Sequence, residues 1–281
     1  MKKCRKAKVL MKIIDNSENI PVTDEKIGMR YYVGDPDHSG QSGPDTLCVA
    51  SEHFTEVYIN ERPMLKLACT PSMLAEMVLG RLYTEGMIKS AEDIDQITVS
   101  EAGTAVKVLL RESAADDGAD GHSFILDSTG SRRTGIDDLT AVFRHSEPPA
   151  PVTPIGWEHE WICSLADRFE KSTELFHATR SVHSCYLAMG PDLLYICEDI
   201  GRHNAVDKAV GCALRDGVDL RKCIIFSSGR LPTDMVAKAI RAGIPILASK
   251  TVCTDRGAEL ARQYGLTLIC FAKKDHFVLM K

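Results

Sequence analysis

The C-terminal half of the chain alternates short apolar runs with segments of helical periodicity. The apolar runs are 183–189, 193–197, 223–226, 246–248 and 266–271, and helical patterns follow the second, third and fourth of them. Strands that alternate with helices are typical of a mainly parallel sheet covered on both faces. We therefore predict an α/β domain over residues 147–281.

Polar residues follow four of the predicted strands. These segments are Glu198–Asn204, Ser227–Arg230, Ser249–Thr251 and Lys273–His276. Ligands of α/β sheets bind outside the carboxyl ends of the strands. Because parallel strands end at the same edge, the sequence predicts one polar cleft that favours anions.

The segment Glu198–Asn204 has the most unusual composition. It joins a buried strand to a predicted helix, for which Asn204 is the expected N-cap, and Asp207 is well placed for the helix dipole. Free N–H groups at a helix start and the fixed charge of Arg202 suit a phosphate. The alternative is a cap and turn whose charges pair with one another.

Two arginines are the main candidate anion ligands. Arg202 and Arg230 both follow predicted strands, so we expect both at the cleft. Ion pairs with Glu198, Asp199 or Asp234 are the structural alternative.

The histidines and lysines of these segments are weaker candidates. His203 could donate a proton or contact phosphate, or could be a loop histidine with ordinary hydrogen bonds, and His183 is more typical of a core histidine. Lys273 and Lys274 could contact the ligand or form a solvated edge.

The N-terminal half predicts a smaller α+β domain over residues 45–146, preceded by a mobile extension at 1–44. A helix should begin at Pro71 after an N-cap at Thr70, and end at Gly86. A polar segment at 112–135 has loop composition, and a proline-rich segment at 147–154 is a predicted domain boundary. The predicted strands of this half are 57–63, 64–68, 97–99 and 105–110.

Composition narrows the class of protein. With 44% hydrophobic and 26% charged residues, the chain is typical of a globular protein, and the net charge of -5 argues against a nucleic-acid binder. No secretory signal or membrane span is predicted, so we expect a cytoplasmic protein. The ten cysteines contain no C-x-x-C pair and are expected to be reduced and mostly structural, and no metal site is predicted.

Several stretches resemble one protein family. They are Cys69-Thr70-Pro71, the run Leu82-Tyr83-Thr84-Glu85-Gly86-Met87-Ile88, the run from Glu198 to Lys208 (EDIGRHNAVDK), Ser228-Gly229-Arg230 and Met235-Val236. Over roughly residues 50 to 281 the chain resembles the formate dehydrogenase accessory sulfurtransferase family, FdhD.

This resemblance implies a fold, a cofactor and partners. The implied fold is a cytidine-deaminase-like three-layer α/β/α domain with a smaller N-terminal α+β domain, in a homodimer. Family members pass persulfide sulfur from a cysteine desulfurase to a molybdenum or tungsten bis(molybdopterin guanine dinucleotide) cofactor, destined for formate dehydrogenase. The implied cofactor-binding residues are His183, Arg202, His203, Asn204, Asp207, Lys208, Ser228, Gly229, Arg230, Phe271, Ala272, Lys273, Lys274 and Asp275.

The chain departs from the family pattern at two places. The family's C-G-x-C-G loop corresponds here to a stretch without cysteine, so no catalytic residue is assigned in it. A persulfide needs a thiolate, which hydroxyls cannot replace. The family's T-G-G-x-H corresponds to Thr179-Arg180-Ser181-Val182-His183, without the glycines. The residues at the C-G-x-C-G position include Ser128, Thr129, Gly130, Ser131 and Arg132.

Three functions therefore remain open at the level of sequence. The chain could be a sulfurtransferase that uses another cysteine, such as Cys69 or Cys185. It could be a non-catalytic protein that binds or delivers the molybdenum cofactor. It could also be a small-molecule enzyme, although no nucleophile–base pair supports that, and the zinc deaminase signature is absent.

Overall fold

The computed structural model describes residues 11–17, 19–32, 37, 42–111, 139–143, 147–171 and 173–281. The predicted loop at 112–135, with the segment 128–132, lies outside these ranges. Among the described helices, none combines the length and apolar composition needed to cross a bilayer.

The N-terminal domain is a five-stranded sheet with one helix packed on it. The sheet order is β1-β6-β7-β4-β5, while β2 and β3 form a separate two-stranded ribbon. The helix α1 buries its three leucines and Met77 against the sheet. The elements are β1 (Lys12–Asp15), β2 (Thr23–Tyr31), β3 (Ser42–Ala50), β4 (His53–Ile59), β5 (Arg62–Cys69), α1 (Leu74–Thr84), β6 (Ile94–Val99) and β7 (Ala105–Leu110).

The prediction that ordered structure begins near residue 45 is wrong. Strand β1 pairs in parallel with β6, and β2 pairs with β3 along its whole length. Strand pairing joins residues far apart in the sequence, so a four-residue strand and a charged strand such as β2 give little local signal. The small domain therefore includes Lys12–Asp15.

Helix α1 begins later than predicted. Its N-cap is Met73, with a left-handed φ of 53°, and not Thr70. The Thr70 hydroxyl instead donates to Asp199 Oδ2 at 3.0 Å, in the other domain. A long-range hydrogen bond has thus replaced the local cap that the sequence predicted.

The C-terminal domain is a six-stranded sheet between two layers of helices. Helix α2 covers one face through Ile162, Leu165 and Phe169. Helices α4, α5 and α6 cover the other face. The elements are α2 (His159–Lys171), α3 (Glu174–Thr179), β8 (His183–Met189), β9 (Asp192–Asp199), α4 (Arg202–Asp216), β10 (Cys223–Ser227), α5 (Thr233–Arg241), β11 (Ile246–Ser249), α6 (Asp255–Gln263), β12 (Thr267–Cys270) and β13 (Val278–Leu279).

The sheet is mixed and not mainly parallel, which corrects the prediction. Strands β10, β11 and β12 are parallel, whereas β8 is antiparallel to both β9 and β10, and β13 is antiparallel to β12. Only Gly190 and Pro191 separate β8 from β9, and so short a connection makes a hairpin.

The predicted convergence of strand ends is nevertheless confirmed. Two successive antiparallel pairings, β9 with β8 and β8 with β10, leave β9 running in the same direction as β10. The carboxyl ends of β9, β10, β11 and β12 therefore meet at one edge of the sheet, together with the amino end of β8.

The two domains join where α1 crosses α4. A Cβ atom on Gly80 would lie 1.8 Å from the Asp207 carbonyl oxygen, and one on Gly211 would lie 1.9 Å from the Glu76 carbonyl oxygen. Only glycine permits this approach, so the two helices touch backbone to backbone.

Candidate functional site

The polar edge of the large sheet, which we call the rim, comprises residues 183, 202, 228–230, 249–251 and 271–276. Hydrogen bonds connect its loops. Ser249 Oγ donates to the Gly229 carbonyl at 2.7 Å, and the N–H of Ala272 donates to the Ser249 carbonyl at 2.9 Å. The N–H of Phe271 donates to the Thr251 carbonyl at 2.8 Å. Three successive strand ends thus form one continuous surface.

Arg202 is the central side chain of the rim. A Cβ atom on Gly229 would lie 3.1 Å from both Cβ and Cδ of Arg202, so glycine makes room for the arginine stem. Arg202 Nε is buried and makes no hydrogen bond within the described part of the chain. A buried donor without a partner is costly, which makes this guanidinium a candidate anion ligand.

The ion pairs of Arg202 with Glu198 and Asp199 are not formed among the described residues. Asp234 differs, because burial raises the pKa of its carboxyl and the charge of Arg202 opposes that rise. The Glu198 carboxylate accepts hydrogen bonds from the N–H groups of Leu175 and Phe176, at 2.9 and 2.8 Å. Asp199 pairs with Lys208. Arg230 is exposed at the same edge.

Helix α4 begins at the rim without a side-chain cap, because its N-cap residue is Gly201. Helix α5 follows Pro232, and in its first turn Asp234 Oδ1 accepts from the Met235 N–H at 2.8 Å. Helix α6 differs, since Thr254 Oγ1 accepts from the Gly257 N–H at 3.1 Å. Uncapped N–H groups and the helix dipole favour a bound anion beside Arg202.

The predicted N-cap at Asn204 is wrong. Helix α4 begins at Arg202, and Asn204 Nδ2 donates to the Ala68 carbonyl and to Asp199 Oδ1, at 2.8 and 2.9 Å. The amide therefore acts as a donor across the domain interface and is not available as a capping acceptor.

His183 lies at the rim, half-buried, rather than in the core. Its Nδ1 is 3.2 Å from Ser228 Oγ, which also accepts from the Ser184 N–H at 3.0 Å. Burial, and then the charge of Arg202, lower the pKa of His183. The imidazole therefore favours its neutral form beside the proposed anion ligand.

His203 faces inward. Its Nε2 lies 3.4 Å from Asp234 Oδ2, but neither atom has an aligned hydrogen bond within the described residues. Burial first, then the charges of Lys238, Arg202 and Arg81, lower the pKa of His203 to about 2. Burial also raises the pKa of Asp234. His203 is therefore neutral near pH 7, not a cationic phosphate contact.

Lys208, a predicted cofactor ligand, lies in the domain interface. Lys208 Nζ is 2.7 Å from Asp199 Oδ2 and donates to Thr70 Oγ1 at 2.7 Å and to the Glu198 carbonyl at 3.1 Å. Lys208 and Asp199 have no exposed surface. The lysine thus joins β9 and α4 to the loop before α1.

Asp207 forms a second buried network. Lys238 Nζ donates to Asp207 Oδ1 at 2.7 Å, and Thr84 Oγ1 donates to the same oxygen at 2.7 Å. Arg81 Nη1 lies 3.6 Å from Asp207 Oδ2. Asp207 and Lys208, which the sequence placed at the cofactor, therefore stabilise the contact between the domains instead.

The segment after β12 remains at the rim. Phe271 is 46% exposed and has a left-handed φ of 50°. Lys273, Lys274 and Asp275 are exposed, and Asp275 Oδ1 contacts His276 Nδ1 at 2.7 Å. These side chains are positioned as the sequence predicted, beside the loop that carries Ser249.

The two cysteines singled out from the sequence are deeply buried. Cys69 and Cys185 have no exposed surface. Burial raises the pKa of the Cys69 thiol to about 12 and also raises that of Cys185. Neither is a suitable nucleophile. Within the described ranges no three His, Cys, Asp or Glu side chains are arranged to hold a metal ion.

Comparison with known sequences identifies relatives over most of the chain. Residues 50–280 match the FdhD/NarQ family. The sulfur carrier protein FdhD of Listeria monocytogenes serotype 4b is 29% identical, across 81% of this chain and 87% of the relative. The proteins of the same name from Wolinella succinogenes and Methanothermobacter thermautotrophicus are each 30% identical, across 80% and 82% of this chain and 77% and 87% of the relatives.

A solved structure shares the fold. It is the crystal structure of a protein described as a formate dehydrogenase accessory protein, from Desulfotalea psychrophila. The TM-score is 0.74 at 25% sequence identity, and the match covers 93% of this chain and 97% of that one.

Proposed function

Since this chain belongs to the FdhD/NarQ family, we propose that it is a sulfur-carrying accessory protein of formate dehydrogenase. In this proposal the rim binds the guanine dinucleotide part of a molybdopterin cofactor, with molybdenum or tungsten as its metal. The relatives named sulfur carrier protein and the accessory-protein structure support this role.

The observation that carries the proposal is the unpartnered Nε–H of Arg202. Arg202 is the first residue of α4, and its stem occupies the space left by the missing side chain of Gly229. Its Nε is buried without a partner among the described residues. A diphosphate supplies the acceptor oxygens that this arrangement lacks, so the residues fit a nucleotide cofactor.

Other rim residues would complete the binding site. Arg230, Lys273 and Lys274 add exposed positive charge along the same edge, and Ser228 offers a hydroxyl. Phe271 offers an exposed aromatic face to a ring. When bound, the cofactor's metal is the acceptor of the carried sulfur.

The proposal extends to partners and surroundings. We propose that the sulfur comes from a cysteine desulfurase, that the loaded cofactor passes to formate dehydrogenase, and that this happens in the cytoplasm. The three-layer domain would be of the cytidine-deaminase-like type, and the protein would act as a homodimer.

A second candidate function is delivery of the cofactor without sulfur chemistry. It is favoured by the absence of cysteine between residues 70 and 162 and by the burial of Cys69 and Cys185. Such a protein would bind the cofactor at the rim and use no thiol.

Complementation tests the proposed function. The full chain is expressed in cells that need formate dehydrogenase but lack their own accessory protein, and formate-dependent dye reduction is measured in extracts. We expect wild type and Arg221→Ala to restore activity and Arg202→Ala to restore at most a tenth of it. If soluble wild-type protein accumulates without restoring activity, the proposed function fails.

A further inference from the structure

We infer that His203 is a positioning residue of the rim. Together with the first turn of α5, it holds the Asp234 carboxylate away from the guanidinium of Arg202. This inference rests on the proposed function, because it explains how Arg202 stays available to a diphosphate. It gives His203 a part in ligand binding without a direct contact to the ligand.

Two contacts place Asp234 beside Arg202. His203 follows Arg202 directly in α4, and its Nε2 lies 3.4 Å from Asp234 Oδ2. The segment that leads from β10 into α5 also passes the Arg202 stem, since a Cβ atom on Gly229 would lie 3.1 Å from it. A carboxylate in this position competes with any anion for the arginine.

The three carboxylates considered as partners of Arg202 are engaged by other donors. Glu198 accepts hydrogen bonds from two backbone N–H groups of α3, and Asp199 pairs with a buried lysine. Asp234 Oδ1 accepts from the Met235 N–H at 2.8 Å. The second oxygen of Asp234 faces the imidazole of the residue next to Arg202.

The contact between His203 and Asp234 is largely enclosed. The His203 side chain is 8% exposed and that of Asp234 is 27% exposed. Neither His203 Nε2 nor Asp234 Oδ2 has a hydrogen-bond partner elsewhere in the described part of the chain. The tautomer with its proton on Nε2 offers this oxygen a donor, and a buried carboxylate oxygen without one is costly. The imidazole N–H therefore retains Oδ2 in its present position.

His203 can hold Asp234 without adding charge to the rim. Burial, and then the charges of Lys238, Arg202 and Arg81, lower the pKa of the imidazole to about 2, so it is neutral near pH 7. A neutral N–H orients a carboxylate oxygen but supplies no cation for the ligand. The anion is therefore bound by Arg202 and not by His203.

Without the His203 N–H, the donor available to Asp234 is the Nε–H of Arg202. That Nε is buried and has no partner among the described residues. A direct ion pair of Arg202 with Asp234 would satisfy both groups and withdraw the guanidinium from the anion. Loss of His203 should therefore weaken anion binding only when the Asp234 carboxylate is present, which a purely structural role does not require.

A double-mutant cycle with GDP tests this dependence. Calorimetry on the full chain compares wild type, His203→Leu, Asp234→Asn and the double variant. We expect His203→Leu to weaken GDP binding about tenfold, the effect of one competing charge-assisted contact. Asp234→Asn keeps an acceptor for the Met235 N–H but not the charge, so it should bind at least as tightly as wild type. The double variant should bind as Asp234→Asn does.

Three further variants separate this effect from general damage to the fold. His203→Gln retains an amide N–H donor and should bind GDP within about threefold of wild type. Asp234→Glu is one methylene longer and reaches Arg202, so it should weaken binding about tenfold with the histidine still in place. Asp219→Asn removes a carboxylate at the opposite edge of the sheet and should leave the affinity unchanged.

The outcomes separate this inference from the proposed function. If wild type binds GDP but Asp234→Asn does not restore binding to His203→Leu, the role of His203 is structural and the inference fails while the cofactor site stands. Unchanged affinity in His203→Leu or in Asp234→Glu overturns it as well. Should His203→Leu not fold, equal affinity of Asp234→Glu and Asp234→Asn overturns the inference. Absence of GDP binding by wild type contradicts the proposed cofactor site, and this inference with it.

Discussion

Lys208 Nζ lies 2.7 Å from Asp199 Oδ2, and neither residue has any exposed surface. Both residues of this pair hydrogen bond to Thr70 of the N-terminal domain. Both residues of the Asp207–Lys238 pair hydrogen bond to Thr84 of the same domain, so the two pairs stabilise the contact between the domains. Helix α4 therefore has two functions. Its first residue, Arg202, is available to an anion, and its next turns stabilise the domain contact.

Lys208→Met should destabilise the protein strongly. Removing one member of a buried ion pair leaves the Asp199 carboxylate without its cation, which costs roughly 3–5 kcal/mol. Urea unfolding measures this change. The exposed Lys222→Met is the control, expected within about 0.5 kcal/mol of wild type. Equal stability of both variants would show that the buried pair contributes little.

Gly80→Ala and Gly211→Ala should each force α1 and α4 apart. The added methyl group would overlap a backbone carbonyl, at 1.8 and 1.9 Å, and backbone atoms cannot rotate out of the way. We expect losses at or above the roughly 1–3 kcal/mol typical of overpacking. Gly156→Ala is the matched control, since its Cβ meets nothing within 4 Å. Equal thermal unfolding midpoints for all three variants would contradict the close crossing of α1 and α4.

Gly229→Ala should weaken ligand binding more than it affects stability. Its Cβ would press on the Arg202 stem at 3.1 Å and displace the guanidinium. We expect GDP affinity to fall about tenfold, which is about 1.4 kcal/mol. Calorimetry on this variant and on Gly156→Ala checks the effect. Unchanged affinity would mean that the position of Arg202 does not matter.

Acidification should destabilise the fold through His203. Its pKa is lowered from 6.5 to about 2, so between these values the unfolded chain binds more protons than the folded one. The contribution of neutral His203 to the free energy of unfolding is therefore fully present above about pH 6.5. It falls with decreasing pH by up to about 1.4 kcal/mol per pH unit. The raised pKa of Asp234 acts in the opposite direction.

His203→Gln provides the control for this pH dependence. Urea midpoints are compared at pH 7.5 and 5.5, a range that spans the ordinary histidine pKa of about 6.5. Wild type should lose more stability than the variant between the two values. An equal loss in both proteins would mean that His203 is not buried in its neutral form.

The sequence predicted the elements of the large domain and the convergence of its polar strand ends because both depend on local patterns. Apolar runs identified β10, β11 and β12, and the polar residues after them identified the rim. The sequence patterns did not predict the mixed strand directions, because these depend on pairing across the β8–β9 hairpin.

The sequence did not predict the residues of the domain interface, because these depend on which face of α4 packs against the N-terminal domain. Asn204, Asp207 and Lys208 follow Arg202 closely in sequence, yet helical geometry turns them toward α1 and the loop before it. No local pattern reveals that contact.

The most direct test of the account is calorimetric titration of the purified full chain with GDP. We expect binding by wild type and by Arg221→Ala, whose arginine pairs with Asp219 at the opposite edge of the sheet. Loss of the charge-assisted contact, worth roughly 1.5–3 kcal/mol, should weaken binding to Arg202→Ala by about one to two orders of magnitude. Equal affinity of wild type and Arg202→Ala, or no binding by wild type, would show that the rim is not a nucleotide-binding site.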